Sequence, residues 1–150
     1  VDTTATSIAF GSVPLGTSYE AIQQLTINTN STEGYQMFMF ADGQLVNTYS
    51  DEIPAITSTN AVPAGWSTAC SGAATGCFGY HSTDGVLEGG STRFGPIDSY
   101  AAMSTVPEEI MYSSIPVNDT YYLVYRLEVQ LEQAIGDYQA SITYISVPVF

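Results

Sequence analysis

Apolar residues recur at every second position along most of the chain and nowhere sustain a helical period, so the pattern predicts strands. The clearest run covers 121–132. Leu123, Tyr125, Leu127, Val129 and Leu131 fall on one face, and Tyr122, Val124, Arg126, Glu128, Gln130 and Glu132 on the other, as in a half-buried antiparallel strand. A turn over 133–136 leads into 137–147, where Tyr138, Ala140, Ile142 and Tyr144 share a face, so the spacing predicts a long terminal hairpin. Beyond Tyr144 the opposite face turns apolar too, through Ile145, Val147 and Val149. This end is therefore expected to be covered on both sides or to touch a second subunit.

Upstream, the pattern predicts a strand near 6–10, a break over 11–16 and a longer strand near 19–28. In the run 35–40, Met37, Phe38, Met39 and Phe40 leave no polar face, which predicts a central or loop-covered strand. Asp42-Gly43 carries the turn chemistry for a tight hairpin into 44–47. Residues 49–104 are rich in Gly, Pro, Ser and Thr, with short apolar pieces at 77–81, 85–87, 92–94 and 100–103. They read as loops and short strands elaborating a single core, with a further strand at 109–113. About eight to ten strands point to an all-β fold, an antiparallel β-sandwich with jelly-roll or Greek-key topology. Residues 1–16 form an N-terminal strand and hinge, and 17–150 the sandwich domain.

Charge narrows the partners. Fifteen acidic residues stand against two basic ones, Arg93 and Arg126, with no lysine, for a net charge of −13. Nucleic acid is excluded as a partner, because phosphate binding needs clustered cations, and docking on anionic membranes is disfavoured. Isopeptide crosslinks, Schiff bases and phosphate loops all need the missing lysine. His81 is the single histidine, so no His-rich metal centre is expected, and no cofactor. The longest apolar run is far below the roughly 18 residues of a membrane span, so no membrane insertion is expected. The chain opens at Val1, as a mature product left by signal removal would.

Only 11% of the residues are charged, which leaves Ser, Thr, Asn, Gln and Tyr to cover the surface, a composition of secreted and cell-surface proteins. Cys70 and Cys77 enclose Ser-Gly-Ala-Ala-Thr-Gly, a short flexible loop that brings both thiols together in an oxidising compartment. Such a disulfide is worth roughly 2–3 kcal/mol and pins a surface loop beside Trp66. Asn30-Ser31-Thr32 and Asn118-Asp119-Thr120 fit the N-glycosylation pattern, each where a turn is expected, with chance occurrence as the competing reading.

Catalytic constellations find little support. Glu108 and Glu109 are neighbours, so a strand points them apart, while Glu128 and Glu132 share a face roughly 13 Å apart, too far for a glycosidase pair. His81 and Asp84 lack a G-x-S-x-G elbow, and Asp42, Asp51, Glu52, Asp84 and Asp98 lack calcium-loop spacing. Trp66 and the eleven tyrosines serve either as a sugar platform or as core packing, and their inward positions favour the core. No enzyme is expected.

Ile8-Ala9-Phe10-Gly11, the stretch Leu25-Thr26-Ile27-Asn28-Thr29-Asn30 running into Gly34-Tyr35, and the terminal stretch from Gly136-Asp137-Tyr138 to Tyr144-Ile145 resemble secreted β-sandwich filament subunits of prokaryotic surfaces. These are the TasA/camelysin type and the archaeal bundling pilins. The resemblance implies a homopolymer built by donor-strand complementation, in which the N-terminal segment of one subunit fills a groove in the next. The expected interface is then Val1, Thr3, Ala5, Ile8 and Phe10 on the donor side, with Met37, Phe38, Met39, Phe40, Ile145, Val147 and Val149 receiving. A self-paired first strand is the competing reading of residues 1–10. For the whole protein, the alternative to a filament subunit is a monomeric adhesin or carbohydrate-binding module that holds a glycan with Trp66 and loop tyrosines. Both are extracellular or at the cell surface.

Overall fold

The alternation read from the sequence becomes alternating burial along the longest strands of a computed structural model, which describes residues 2–3 in their backbone, 7–96 and 98–150. The elements in chain order are β1 (Asp2–Thr3), β2 (Ser18–Thr29), β3 (Tyr35–Ala41), β4 (Leu45–Val46), β5 (Glu52–Ile53), the single turn α1 (Trp66–Ala69), β6 (Gly76–Ser82), β7 (Glu108–Ser113), β8 (Val117–Val129) and β9 (Ile142–Pro148). They form a four-stranded sheet of order β1-β2-β8-β6, a three-stranded sheet of order β7-β3-β9 and a β4-β5 ladder. All of these pairings are antiparallel, so the chain is all-β.

A single apolar cluster joins the sheets. Leu25 and Ile27 of β2, Leu123, Tyr125 and Leu127 of β8, and Phe78 and Tyr80 of β6 meet Tyr35, Met37 and Met39 of β3 and Ile110 and Met111 of β7. Leu25, Met37, Ile110, Met111 and Tyr125 are fully buried, each side chain worth about 1.5–3 kcal/mol of transfer free energy. β3 is the middle strand of its sheet, as its unbroken apolar run predicts. Between β2 and β3 the chain turns at Gly34 with φ 76°, and a Cβ there would stand 2.0 Å from the Ser113 carbonyl oxygen, so only glycine fits.

Four local expectations are corrected. The terminal hairpin does not form, because β8 is already flanked by β2 and β6, and β9 crosses to pair with β3 instead. Leu131, expected inside, lies beyond the end of β8 and is 83% exposed. Asp42-Gly43 makes no tight hairpin: the Asp42 amide donates to the Ser141 carbonyl and its carboxylate accepts from the Ser141 amide. These bonds keep Asp42 in register with the chain entering β9, and Leu45–Val46 turns away to pair with β5. Of the strand expected near 6–10, Thr6 lies outside the described residues and residues 7–10 are irregular.

Candidate functional site

Where the core opens, irregular chain closes it rather than a strand. Residues 7–13 run across the inner face of the four-stranded sheet, with Ile8, Phe10 and Val13 packed against the core cluster. The Phe10 ring meets Phe78 edge-on at 6.1 Å between centroids. The segment bends at Gly11 and the chain turns again at Gly16, both at positive φ, and the Gly16 amide donates to the Val129 carbonyl, which returns the chain to β2. Between residues 7–13 and residues 133–142 lies a groove of about 1320 Å³ that reaches Gln23, Leu45, Ile53, Phe78, Tyr125 and Tyr144.

Polar atoms in this groove satisfy one another. The Tyr144 hydroxyl donates to the Gln23 side-chain carbonyl and shares a hydrogen bond with the Tyr125 hydroxyl. Burial pushes the Tyr144 phenol up to about 12, with the bond to Tyr125 pulling the other way, and burial holds Tyr125 well above its ordinary range. Both stay protonated donors at any physiological pH. Sequence reasoning missed this trio: Gln23 is a polar residue at a core-facing position of β2, and Tyr125 of β8 and Tyr144 of β9 reach it from distant parts of the chain.

The expected interface residues separate. Met37 and Met39 are buried in the chain's own core and are removed from any contact surface, because the odd positions of β3 face inward. Phe38 and Phe40 are half-buried on the opposite face, where Ile145 and Val147 of β9 are 39% and 41% exposed and Val149 is half-buried. Ile8 and Phe10 are half-buried. Val1 and Ala5 lie outside the described residues, and Thr3 pairs with Leu25 of its own β2.

A second apolar cluster holds Ile56, Trp66, Ala69, Cys77 and Tyr100. The sulfurs of Cys70 and Cys77 are at bonding distance, with Cα atoms 5.7 Å apart, so the link ties α1 to β6 beside Trp66. Reduction is expected to add about two hydrogens to the intact mass and to cost roughly 2–3 kcal/mol in urea unfolding; native protein alkylated at both thiols would contradict this. Trp66 is 5% exposed, and its indole N–H donates to Glu128 at 3.0 Å while Arg126 lies 4.9 Å over its ring. That placement gives the sugar-binding reading no open indole face.

The side chains that catalysis or calcium binding would need are dispersed. His81 Nδ1 bonds the Ser99 carbonyl oxygen at 2.8 Å, Asp51 accepts from the Asn47 amide group, and Asp98 stands 3.7 Å from Arg126. Among the described residues no three His, Cys, Asp or Glu side chains come together as a metal site. Asn30 is exposed in the turn after β2, and Asn118 is exposed too but lies within β8 opposite Asn28, because the β2-β8 ladder runs on to Val117.

Asp84 is 3% exposed and accepts from the Val86 and Tyr112 amides. Burial raises its pKa, those two amides lower it, and Asp119 and Glu109 raise it again; burial also raises Glu108, against the pull of Arg93. Carboxyls raised in the folded state contribute stability that is full below the ordinary carboxylate pKa and is lost as pH rises through the raised value. Thermal unfolding is therefore expected at higher temperature at about pH 5 than at about pH 7, with a smaller difference in Glu108→Gln. A flat or opposite dependence would contradict this.

Among the described residues no helix is long and apolar enough to cross a membrane. No protein-family model matches the chain, and no curated protein or solved structure is significantly similar to it.

Proposed function

We propose that this chain is the structural subunit of an extracellular filament or surface layer, a β-sandwich of Greek-key or jelly-roll type that assembles by non-covalent strand donation. The observation that carries the reading is the closure of the core by residues 7–13. They pack apolar side chains on Phe78 and its neighbours yet leave a groove of about 1320 Å³ beside them. A contact made within one chain by such a segment can be made by the same segment of a neighbour, and the Gly11 and Gly16 turns are the hinge that would redirect it. Backbone pairing then supplies affinity with little demand on side-chain identity.

The link between Cys70 and Cys77 and the low content of charged side chains support the extracellular setting. With no lysine, the subunits have no amine for an isopeptide crosslink, and cohesion falls to strand pairing and apolar burial. Negative-stain microscopy of the purified protein tests the reading. Open filaments or a regular layer are expected, and dispersed monomers at every concentration would overturn it.

A further inference from the structure

The edges of the two sheets are treated very differently. On β6, Phe78 and Tyr80 spend their outward backbone groups on Pro54, Ile56 and Ala101. On β7, Asn60 donates to the Glu109 carbonyl, Ser82 to the Ile110 carbonyl, and Asp84 accepts the Tyr112 amide. β2 carries β1.

β9 has no such cover among the described residues. Its bonds to β3 fix which groups are free: the Val149 amide donates to Gly34 and the Asp42 amide to Ser141, so the odd-numbered residues face β3. Ile142, Tyr144 and Ser146 therefore turn their N–H and C=O outward. Residues 138–150 also hold no charged side chain in a chain of net charge −13, and Ile145 and Val147 stand exposed on the outer face. Natural edges are usually blunted by charge, by bulges, by proline or by a covering segment, and before Pro148 this one has none of them among the described residues.

We infer that β9 is a self-complementary interface, pairing antiparallel with β9 of a second copy about a two-fold axis at Tyr144. A second copy is the partner that the charge distribution selects. Elsewhere two acidic chains repel, whereas here an uncharged border meets its own image. In that register Ile142 faces the partner's Ser146, Tyr144 faces the partner's Tyr144, and each such pair exchanges two backbone hydrogen bonds. Pro148, which has no N–H, ends the ladder. Thr143 stands beside the partner's Ile145, which sets Ile145 against the threonine methyl. The contact shares Ile142 and Tyr144 with the lining of the groove, but it pairs the backbone edge of β9 rather than filling the groove and does not depend on strand donation.

Sedimentation of the full chain across a concentration series is expected to show a monomer–dimer equilibrium. Ser146→Pro removes an outward N–H from each copy and spares the bonds to β3; two lost bonds predict a dimer about thirtyfold weaker. Ile145→Lys keeps every backbone donor and places a charge beside the seam, so it should weaken the dimer without lowering the unfolding temperature. The double variant Thr143→Cys/Ile145→Cys should oxidise to a covalent dimer. A monomer at all concentrations, or a dimer indifferent to both single variants, would overturn the inference. So would crosslinking of position 143 or 145 to a cysteine at position 8 of another copy, which would make the donated segment the occupant. Filaments that persist in Ser146→Pro while the paired species disappears would separate this interface from strand donation.

Discussion

Removal of residues 1–10 is expected to abolish assembly and leave monomers that aggregate. The deletion strips Ile8 and Phe10 from the core cluster and uncovers Phe78 together with the apolar floor of the groove at Leu45 and Ile53. Two half-buried apolar side chains are worth on the order of 2–3 kcal/mol in transfer free energy, and the newly bared surface is a template for non-specific association. A synthetic peptide of residues 1–10 should restore thermal stability by filling the same groove, without restoring polymers, because the peptide no longer links two subunits. Normal filaments from the deleted chain would sink strand donation even if the filament were real.

Arg93→Ala should have the largest effect of any single substitution outside the apolar core. Arg93 reaches the Glu109 carboxylate at 2.5 Å and also donates to the Asn60 side-chain carbonyl. Asn60 is 3% exposed and passes its own amide hydrogens to the Tyr80 hydroxyl and the Glu109 backbone carbonyl, each at 2.8 Å. Glu109, 8% exposed, further accepts from the Glu88 backbone amide and the Gln36 side chain. Truncating the arginine strands a buried carboxylate, which costs about 3–5 kcal/mol. In urea unfolding the midpoint should fall sharply, and Arg93→Ala/Glu109→Gln should recover part of the loss, since the neutral amide needs no counterion. Arg126 provides the contrast: its carboxylate partners Glu20 and Asp98 are 45% and 63% exposed at 3.5 and 3.7 Å, so Arg126→Ala should cost only about 1 kcal/mol. Equal losses at the two arginines would refute this account.

The sequence was a good guide to what each strand does locally and a poor one to which strand it meets. The alternation of Leu123, Tyr125 and Leu127 survives as buried positions of β8, and the polar-free run at Met37 and Phe38 marks the central strand β3. The spacing between β8 and β9 looks like a hairpin because a turn plus two alternating segments carries no information about competitors. β2 and β6 claim both edges of β8, and that competition is settled over roughly the whole chain length. Likewise Asp42-Gly43 has the composition of a tight turn, but the Ser141 backbone offers Asp42 a ladder partner 99 residues away. On the outer face of β9, the apolar doubling at Ile145 and Val147 was legible, since residues with no inward role stand out. The trio of Gln23, Tyr125 and Tyr144 was not, because a hydrogen bond between distant strands leaves no local trace.

The way the two arginines are held also bears on resistance to proteolysis. Both cationic side chains are largely enclosed, Arg93 at 21% and Arg126 at 23% exposure, one tied to Glu109 and the other lying over Trp66 and Tyr100. With no lysine anywhere, a trypsin-like protease finds its only two cleavage residues inside folded contacts. Cutting then waits for those contacts to open, so the lifetime of the protein among such enzymes is set by its own opening equilibrium rather than by the amount of protease reaching its surface.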